Sequence, residues 1–429
     1  MKKLIILSLF SLIISCGNPT LKVSDQEVLK KLEQLTEVQD YFKLQKTFDL
    51  NKNNLSDIHS LYFSAIINNV FNKAAESNEA IIKLIDNPAP LFNDTLMNKL
   101  YRTKLLNHIN LYEYGEAALC SEYILNNYRN LNDSTEIEML QNEIKIWKAL
   151  KDVPKQQVFR NSDTSFPIVR DKVGLFNVSV VFKDTTTNFL FDTGANFSVI
   201  IRSLTKKLGL KIIEADFYVT AATGKKVKSD IAIAEEISVG GIAFKNVVFL
   251  ILNDEDLSFP QIDYYPTGAI GFPVIEAMDE IRISRDNQIF VPQVPEKYSF
   301  NNFALDGLMP ILAAEYKGNT LRFHFDTGAT RTSLFPLFFN DYKQEIESNY
   351  KKEIFKSGSG GGIVEFDGYL INNFTLKIAD SKARLDSVRL HIENIGGEEN
   401  HFHGNFGQDY IKQFDEMIIS FKYSSVLFK

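Results

Sequence analysis

A chain of 429 residues exceeds what one ordinary hydrophobic core supports and predicts two or three domains. Apolar content of 45% and charged content of 24% place it among globular proteins. The net charge of -7 is modest and the Lys and Arg residues are scattered, which leaves no electrostatic footprint for nucleic acid and excludes that class of partner.

The chain opens with a sorting signal rather than a folded element. Lys2 and Lys3 form a positive n-region, and Leu4 to Ile14 form an apolar stretch of signal-peptide length, too short for a permanent membrane span. It ends in Ile13-Ile14-Ser15-Cys16, which resembles the lipobox of bacterial lipoproteins. The resemblance implies that residues 1–16 carry the signal, that cleavage leaves Cys16 as the mature N-terminus, and that its sulfur holds a diacylglycerol. Two acyl chains are what stable anchoring requires. Gly17 rather than Asp follows Cys16, which by analogy with enterobacterial sorting implies the outer membrane of a bacterial envelope, facing the periplasm or the exterior. An ordinary secreted protein with a chance Cys at the cleavage site is the alternative. Cys120, in an Ala-rich helical stretch, reads as a small buried hydrophobe; a lone thiol cannot form an intramolecular disulfide. His401 and His403 form an H-x-H pair with nothing nearby to complete a zinc site, and no metal or other cofactor is expected.

Residues 17–158 read as all-α. Apolar residues recur at helical spacing in Leu61, Ala65, Ile66, Val70 and Ala74, and again in Leu100, Leu105, Leu106 and Ile109 followed by Ala117-Ala118. The two stretches lie roughly forty residues apart and resemble degenerate tetratricopeptide-type hairpins. Plain packing of antiparallel helices needs the same small residues where helices meet, so both readings stand. The repeat resemblance implies a groove for a partner protein.

From about Phe166 the period changes to two: Val178, Val180 and Phe182 alternate with Ser179 and Val181, and short turn clusters intervene. The remainder predicts many short strands. It also contains an internal duplication. Lys183 to Gly194 overlays Lys317 to Gly328 without a gap, with Phe189 on Phe323 and Phe191 on Phe325. Asp192-Thr193-Gly194-Ala195 falls on Asp326-Thr327-Gly328-Ala329, and Ser198 meets Thr332. The copies realign at Gly268-Ala269-Ile270-Gly271 and Gly404-Asn405-Phe406-Gly407. Two lobes are therefore predicted, 159–295 and 296–429.

An Asp between an apolar strand and Thr-Gly is placed to project from a strand end, and Gly lets another backbone approach closely. The Thr hydroxyls can hydrogen-bond across a lobe interface. Two such lobes stacked about a pseudo-twofold axis would set Asp192 beside Asp326, and two adjacent carboxylates share a proton. One then serves as general base on a water while the other donates to a scissile carbonyl. Acids that merely cap turns in a duplicated lobe are the structural alternative.

The motifs Phe191-Asp192-Thr193-Gly194-Ala195 and Phe325-Asp326-Thr327-Gly328-Ala329, with the later Ile270-Gly271 and Phe406-Gly407, are similar to the retropepsin-like aspartic peptidases. The resemblance covers roughly residues 160–429. It implies a mainly-β, two-lobed, acid-protease-like domain that hydrolyses polypeptides through Asp192 and Asp326, with Thr193, Gly194, Thr327, Gly328, Ser198 and Thr332 in support. It also implies a flap in each lobe, for which Thr223-Gly224 and Gly360-Gly361 are the candidates; equally, these glycines suit ordinary surface loops. Retroviral members supply one Asp per subunit, whereas here both copies lie in one chain, implying a monomer with an intramolecular pseudo-dimer. His324 and Arg331 stand where the first copy has Leu190 and Phe197, so the two halves are not equivalent. The functional alternative is a catalytically silent lipoprotein that binds peptide or protein with the same cleft and the helical domain.

Overall fold

A computed structural model of the protein describes residues 22–86, 93–221, 224–359, 362–395 and 401–429. Cys16, Thr223, Gly360 and Gly361 lie outside the described residues. Residues 26–86 and 93–150 form an array of helices: α1 (Gln26–Glu37), α2 (Tyr41–Asn51), α3 (Asp57–Val70), α4 (Ala74–Asp86), α5 (Asp94–Asn110), α6 (Tyr114–Asn127) and α7 (Ser134–Leu150). Short polar side chains start most of them by accepting otherwise unpaired backbone N–H groups. Asp25, Asp40, Ser56 and Asn93 do this for α1, α2, α3 and α5. Asp133 and Glu136 form a reciprocal capping box on α7. No helix among the described residues is long and apolar enough to cross a membrane.

The turns joining α1 to α2, α3 to α4 and α5 to α6 share one backbone pattern. Gln39, Asn72 and Tyr112 adopt left-handed φ of 52°, 58° and 56°. In each turn the next N–H reaches back five residues, as in Asp40 to Leu35 O, Lys73 to Asn68 O and Glu113 to His108 O. The left-handed residue of each turn also contacts the β region. Gln39 Nε2 donates to Asp306 Oδ1 at 3.5 Å, Asn72 Nδ2 to Glu276 Oε1 at 2.8 Å, and Tyr112 Oη to the Pro273 carbonyl at 3.0 Å.

The first lobe contains β1 (Gln157–Phe159), β2 (Thr164–Pro167), β3 (Val169–Arg170), β4 (Phe176–Phe182), β5 (Thr185–Phe191), β6 (Ser198–Ile201), α8 (Arg202–Lys207), β7 (Lys211–Thr220), β8 (Lys226–Val239), β9 (Ile242–Leu252), β10 (Gly268–Ile270), α9 (Phe272–Glu276), β11 (Glu280–Ser284) and β12 (Gln288–Val291). The second repeats the order with β13 (Phe303–Asp306), β14 (Met309–Tyr316), β15 (Asn319–Phe325), β16 (Ser333–Leu334), α10 (Pro336–Asn349), β17 (Lys352–Ser359), β18 (Gly362–Ile378), β19 (Ser381–His391), β20 (Gly404–Phe406), α11 (Gln408–Ile411), β21 (Glu416–Ser420) and β22 (Ser425–Phe428). The alternation expected in β4 is present: Phe176, Val178, Val180 and Phe182 are buried, and the residues between them are not. Two features depart from the expected run of short strands. β8 and β18 are long, at 14 and 17 residues, and α10 is a 14-residue helix opened by Pro336 at its first turn.

Within each lobe the strand before the Asp pairs in parallel with the strand ending at the later apolar-Gly element: Phe191 with Ile270, and Phe325 with Phe406. The lobes join through a shared sheet of order β2-β12-β11-β21-β22, where Ile281 pairs with Ile419 and Ile283 with Met417.

The helical array shares its core with both lobes. Phe63, Ile67, Phe71 and Ile81 cluster with Ala304, Ile311, Phe335 and Phe402 of the second lobe. Trp147, Leu150 and Ile109 cluster with Phe197, Phe217, Ile231 and Leu250 of the first. A buried ion pair, Arg322 to Asp40 at 2.9 Å, crosses the first of these seams. Burial of this kind stabilises by roughly 25 cal/mol per Å2 of apolar surface, so the array is part of one cooperative unit with the lobes. A fragment of residues 160–429 is therefore expected to be insoluble or molten, as read by size-exclusion chromatography and near-UV circular dichroism. Trp147→Ala, which empties the seam at Phe197, is expected to cost about 3–5 kcal/mol in chemical denaturation. A well-folded, soluble fragment would show that the helices are a detachable appendage.

Candidate active site

Asp192 and Asp326 leave β5 and β15 in matching conformations. The Asp192 N–H donates to Ile270 O at 3.0 Å and the Asp326 N–H to Phe406 O at 3.1 Å, so the chain behind each Asp is held by the apolar-Gly element of its own lobe. The following Thr residues cross between lobes. Thr193 Oγ1 donates to Phe325 O at 2.9 Å and accepts the Thr327 N–H at 3.0 Å. Thr327 Oγ1 donates to Phe191 O at 2.7 Å and accepts the Thr193 N–H at 3.0 Å. Both side chains are wholly buried, where neutral hydrogen bonds are costly to leave unmade.

This crossing sets each carboxyl against the other motif's glycine. A Cβ built on Gly194 would lie 2.8 Å from Asp326 Oδ1, and one on Gly328 would lie 2.5 Å from Asp192 Cγ. Any side chain at either position would drive the two carboxyls apart, which is the physical requirement for Gly there. Ser198 and Thr332, buried six residues past each Asp, hold the loops from behind: their hydroxyls accept the Gly271 and Gly407 N–H groups at 3.1 and 3.2 Å. The structure thus brings together Asp192, Asp326 and all six of the supporting residues named from the sequence.

Burial raises the pKa of Asp192 well above the carboxylate range, and the neighbouring Asp326 charge raises it further. Asp326 is also raised by burial, but an amide opposes the shift: Asn405 Nδ2 donates to Asp326 Oδ2 at 2.9 Å. On the other side, Gly194 N–H donates to Asp192 Oδ1 at 2.9 Å. Asn405 is the polar member of an otherwise apolar element and corresponds to Ala269 of the first copy, but spacing alone does not aim its side chain. The second lobe departs again one turn on. Gln408 Nε2 donates to Thr327 O at 2.7 Å, and Asp409 Oδ1 accepts from Thr332 Oγ1 at 2.7 Å, where the first lobe has Phe272 and Pro273.

Two of the differences noted between the copies, at His324 and Phe197, face the helical seams. His324 packs against Phe335 and Phe402 at the helical seam, and burial lowers its pKa to about 4. Phe197 meets Trp147 of α7 at 6.1 Å, and Arg331 is exposed. The H-x-H pair is also structural. His403 Nδ1 accepts the Arg322 N–H at 3.0 Å and its Nε2 faces Asp341 at 3.2 Å, while the His401 carbonyl accepts from Arg322 Nη2 at 2.8 Å. His403, Arg322 and Asp341 line a cavity of about 400 Å3 beside α2, at the seam rather than at the carboxyl pair.

Of the candidate flap residues, Gly224 is described. It lies in the tight β7–β8 turn with φ of 78°, its N–H donating to Ala221 O at 2.8 Å. The second hairpin, β17–β18, closes at the Ser359–Gly362 pair. The first hairpin is tied to the helical array. Asn142 of α7 donates to Tyr218 O at 2.7 Å and accepts the Tyr218 N–H at 3.0 Å, and Glu138 accepts from Tyr218 Oη and Lys226 Nζ at 2.6 and 2.7 Å.

Residues 178–274, from within β4 to within α9, match the family model for aspartyl protease. No curated protein matches the chain. Among solved structures, a retropepsin-like aspartic protease from Rickettsia conorii is 18% identical, covering 32% of this chain and 94% of that one, with a TM-score of 0.22. At that score the likeness adds nothing to the strand order and paired motifs described above.

Thr193→Val keeps the shape of the side chain but strands the buried Phe325 carbonyl and Thr327 N–H. It is expected to lower stability by about 2–4 kcal/mol in urea denaturation, with Thr193→Ser close to wild type. Equal stability of the Val and Ser variants would mean that the crossed hydroxyls do not hold the lobes.

Proposed function

We propose that this chain is a single-chain aspartic endopeptidase that hydrolyses peptide bonds with a water activated between Asp192 and Asp326. The observation that carries this reading is the crossed pair of Asp-Thr-Gly motifs, in which each Gly leaves room for the opposite carboxyl. Two buried carboxyls this close do not both ionise easily, so one proton is shared between them. The ionised member takes a proton from water, and the protonated member donates to the scissile carbonyl as the tetrahedral intermediate forms. The proton taken from water then passes to the leaving amine as the C–N bond breaks, and the diol hydroxyl returns the carbonyl proton to the other carboxyl, which restores the singly protonated dyad. Each step needs the dyad with one proton, so activity falls off where the first carboxyl gains its proton and where the second loses its own.

Protein beginning after Cys16 is expected to cleave unfolded polypeptide at about pH 4–7 and to be blocked by a statine-type transition-state mimic. Asp192→Asn or Asp326→Asn is expected to lower kcat/KM by about 10²–10⁴-fold or more. Cleavage that persists unchanged in both variants would sink the dyad assignment. Wild-type protein that cuts no member of a broad peptide library would favour a silent peptide-binding role for the same cleft.

We further propose that the mature chain is held at a bacterial membrane, in the outer membrane by the sorting analogy, through acyl chains on Cys16. The apolar stretch ending in Ile13-Ile14-Ser15-Cys16 supports this. In a bacterial host the full chain is expected to incorporate labelled palmitate and to partition into the detergent phase of Triton X-114. Cys16→Ser is expected to do neither, and label retained in that variant would place the lipid elsewhere or refute it. The seams described above support a bracing role for the helical array; a partner protein on its outer face is a further proposal from the hairpin resemblance.

A further inference from the structure

We infer that Asn405 is a positioning residue that makes the two carboxyls unequal, holding Asp326 as the carboxylate and leaving the shared proton on Asp192. This deepens the peptidase reading and rests on it for its kinetic consequence, though not for its titration.

The geometry begins with β20. Asn405 is the middle residue of that strand and pairs in register with His324 of β15, two residues before Asp326. Its Nδ2 lies 2.9 Å from Asp326 Oδ2. An amide N–H can donate only, so this contact favours the ionised acceptor, and hydrogen bonds to a charged group are the stronger kind. The equivalent strand of the first lobe carries Ala269, paired with Leu190, and a methyl group offers Asp192 no such donor. Much of the scaffold around the carboxyls is matched: the Asp N–H to the strand behind, the crossed Thr pair, the loop N–H groups of Gly194 and Ala195 against Gly328 and Ala329, and the Ser198 and Thr332 hydroxyls. Gln408 and the titratable Asp409 also differ between the lobes, but they bond to Thr327 O and the Thr332 hydroxyl rather than to a carboxyl of the pair. Asn405 is thus a polar difference between the lobes that directly contacts one carboxyl of the pair.

The second oxygen of Asp326 completes the picture. Oδ1 is buried and not engaged by the Asn405 amide, and it is the oxygen that lies 2.8 Å from the position of a Cβ on Gly194, on the side of the Asp192 motif, with the Gly328 and Ala329 N–H groups and the Asp192 carboxyl beside the Asp326 carboxyl. With Oδ2 engaged by the Asn405 amide, Oδ1 is the acceptor left for a proton held by Asp192. In the proposed reaction Asp326 is then the base that takes the water proton, and Asp192 is the acid that donates to the carbonyl.

The test uses Asn405→Leu, near-isosteric and unable to hydrogen-bond, with Asn405→Ser as the polar variant should the first fail to fold. Loss of the donor destabilises the ionised form, so the first ionisation of the dyad moves to higher pH. The acid limb of the kcat/KM profile is expected to shift upward by about one to two pH units, a 10–100-fold loss on that limb. An unmoved limb, or one that shifts downward because the amide oxygen had been accepting from a protonated Asp326, overturns the proposal.

An activity-independent readout separates this from the peptidase reading. In protein carrying [4-13C]Asp, the Asp326 carboxyl is titrated by NMR in Asp192→Asn and in the double variant Asn405→Leu with Asp192→Asn. The same is done for Asp192 beside Asp326→Asn. The inference requires the Asp326 midpoint to rise when Asn405 is replaced and the Asp192 midpoint to stay within a few tenths of a unit. Equal movement of both, or of neither, overturns it. Wild-type protein that cleaves nothing refutes the peptidase reading alone and leaves this titration to decide the proton's place.

Discussion

The crossed hydroxyls of Thr193 and Thr327 are the constraint on which the rest of the β region depends. Each donates to a carbonyl of the opposite lobe and accepts that lobe's N–H, so neither lobe can complete its own Asp-Thr-Gly loop. A buried group left unpaired costs more than a typical hydrogen bond gains, and the crossing therefore ties loop geometry to lobe docking. The glycines, the parallel pairing behind each Asp and the shared five-stranded sheet all follow from the need to bring two strand ends into one plane.

A second level of support comes from the helices. Three turns with the same left-handed residue point one edge of the array at the lobes, and two apolar seams attach it to both of them. Asn72 alone reaches Glu276 of the first lobe and the Phe421 carbonyl of the second. Such a contact across a lobe boundary resists opening in a way that a flexible linker cannot. The array also reaches forward, through Asn142 and Glu138, to the hairpin that carries Gly224.

Much of the site was legible in the sequence because it is encoded twice. The Asp-Thr-Gly copies, Ser198 with Thr332, and the Gly271 and Gly407 elements fell into register without a structure, and period-two burial marked β4 correctly. What could not be read was which surface each side chain meets. Leu190 against His324 and Phe197 against Arg331 looked like differences at the carboxyls, yet His324 and Phe197 face the helical seams. A period assigns a residue to a face of a strand but not the neighbour covering that face. α10 was missed for a related reason: Pro336 and the Leu337-Phe338-Phe339 run that follows resemble a strand edge until Tyr316 of β14 and Tyr369 and Phe374 of β18 supply a surface for a helix.

Asn405 and Ala269 carry a consequence for how such a site can change over time. In a symmetric homodimer each substitution is made on both sides of the axis at once, so a donor added for one carboxyl is added for its twin. Gene duplication within one chain removes that coupling. One half can acquire an amide while the other keeps a methyl, one hairpin can be tied down by Asn142 independently of its counterpart, and a division of labour between acid and base becomes heritable.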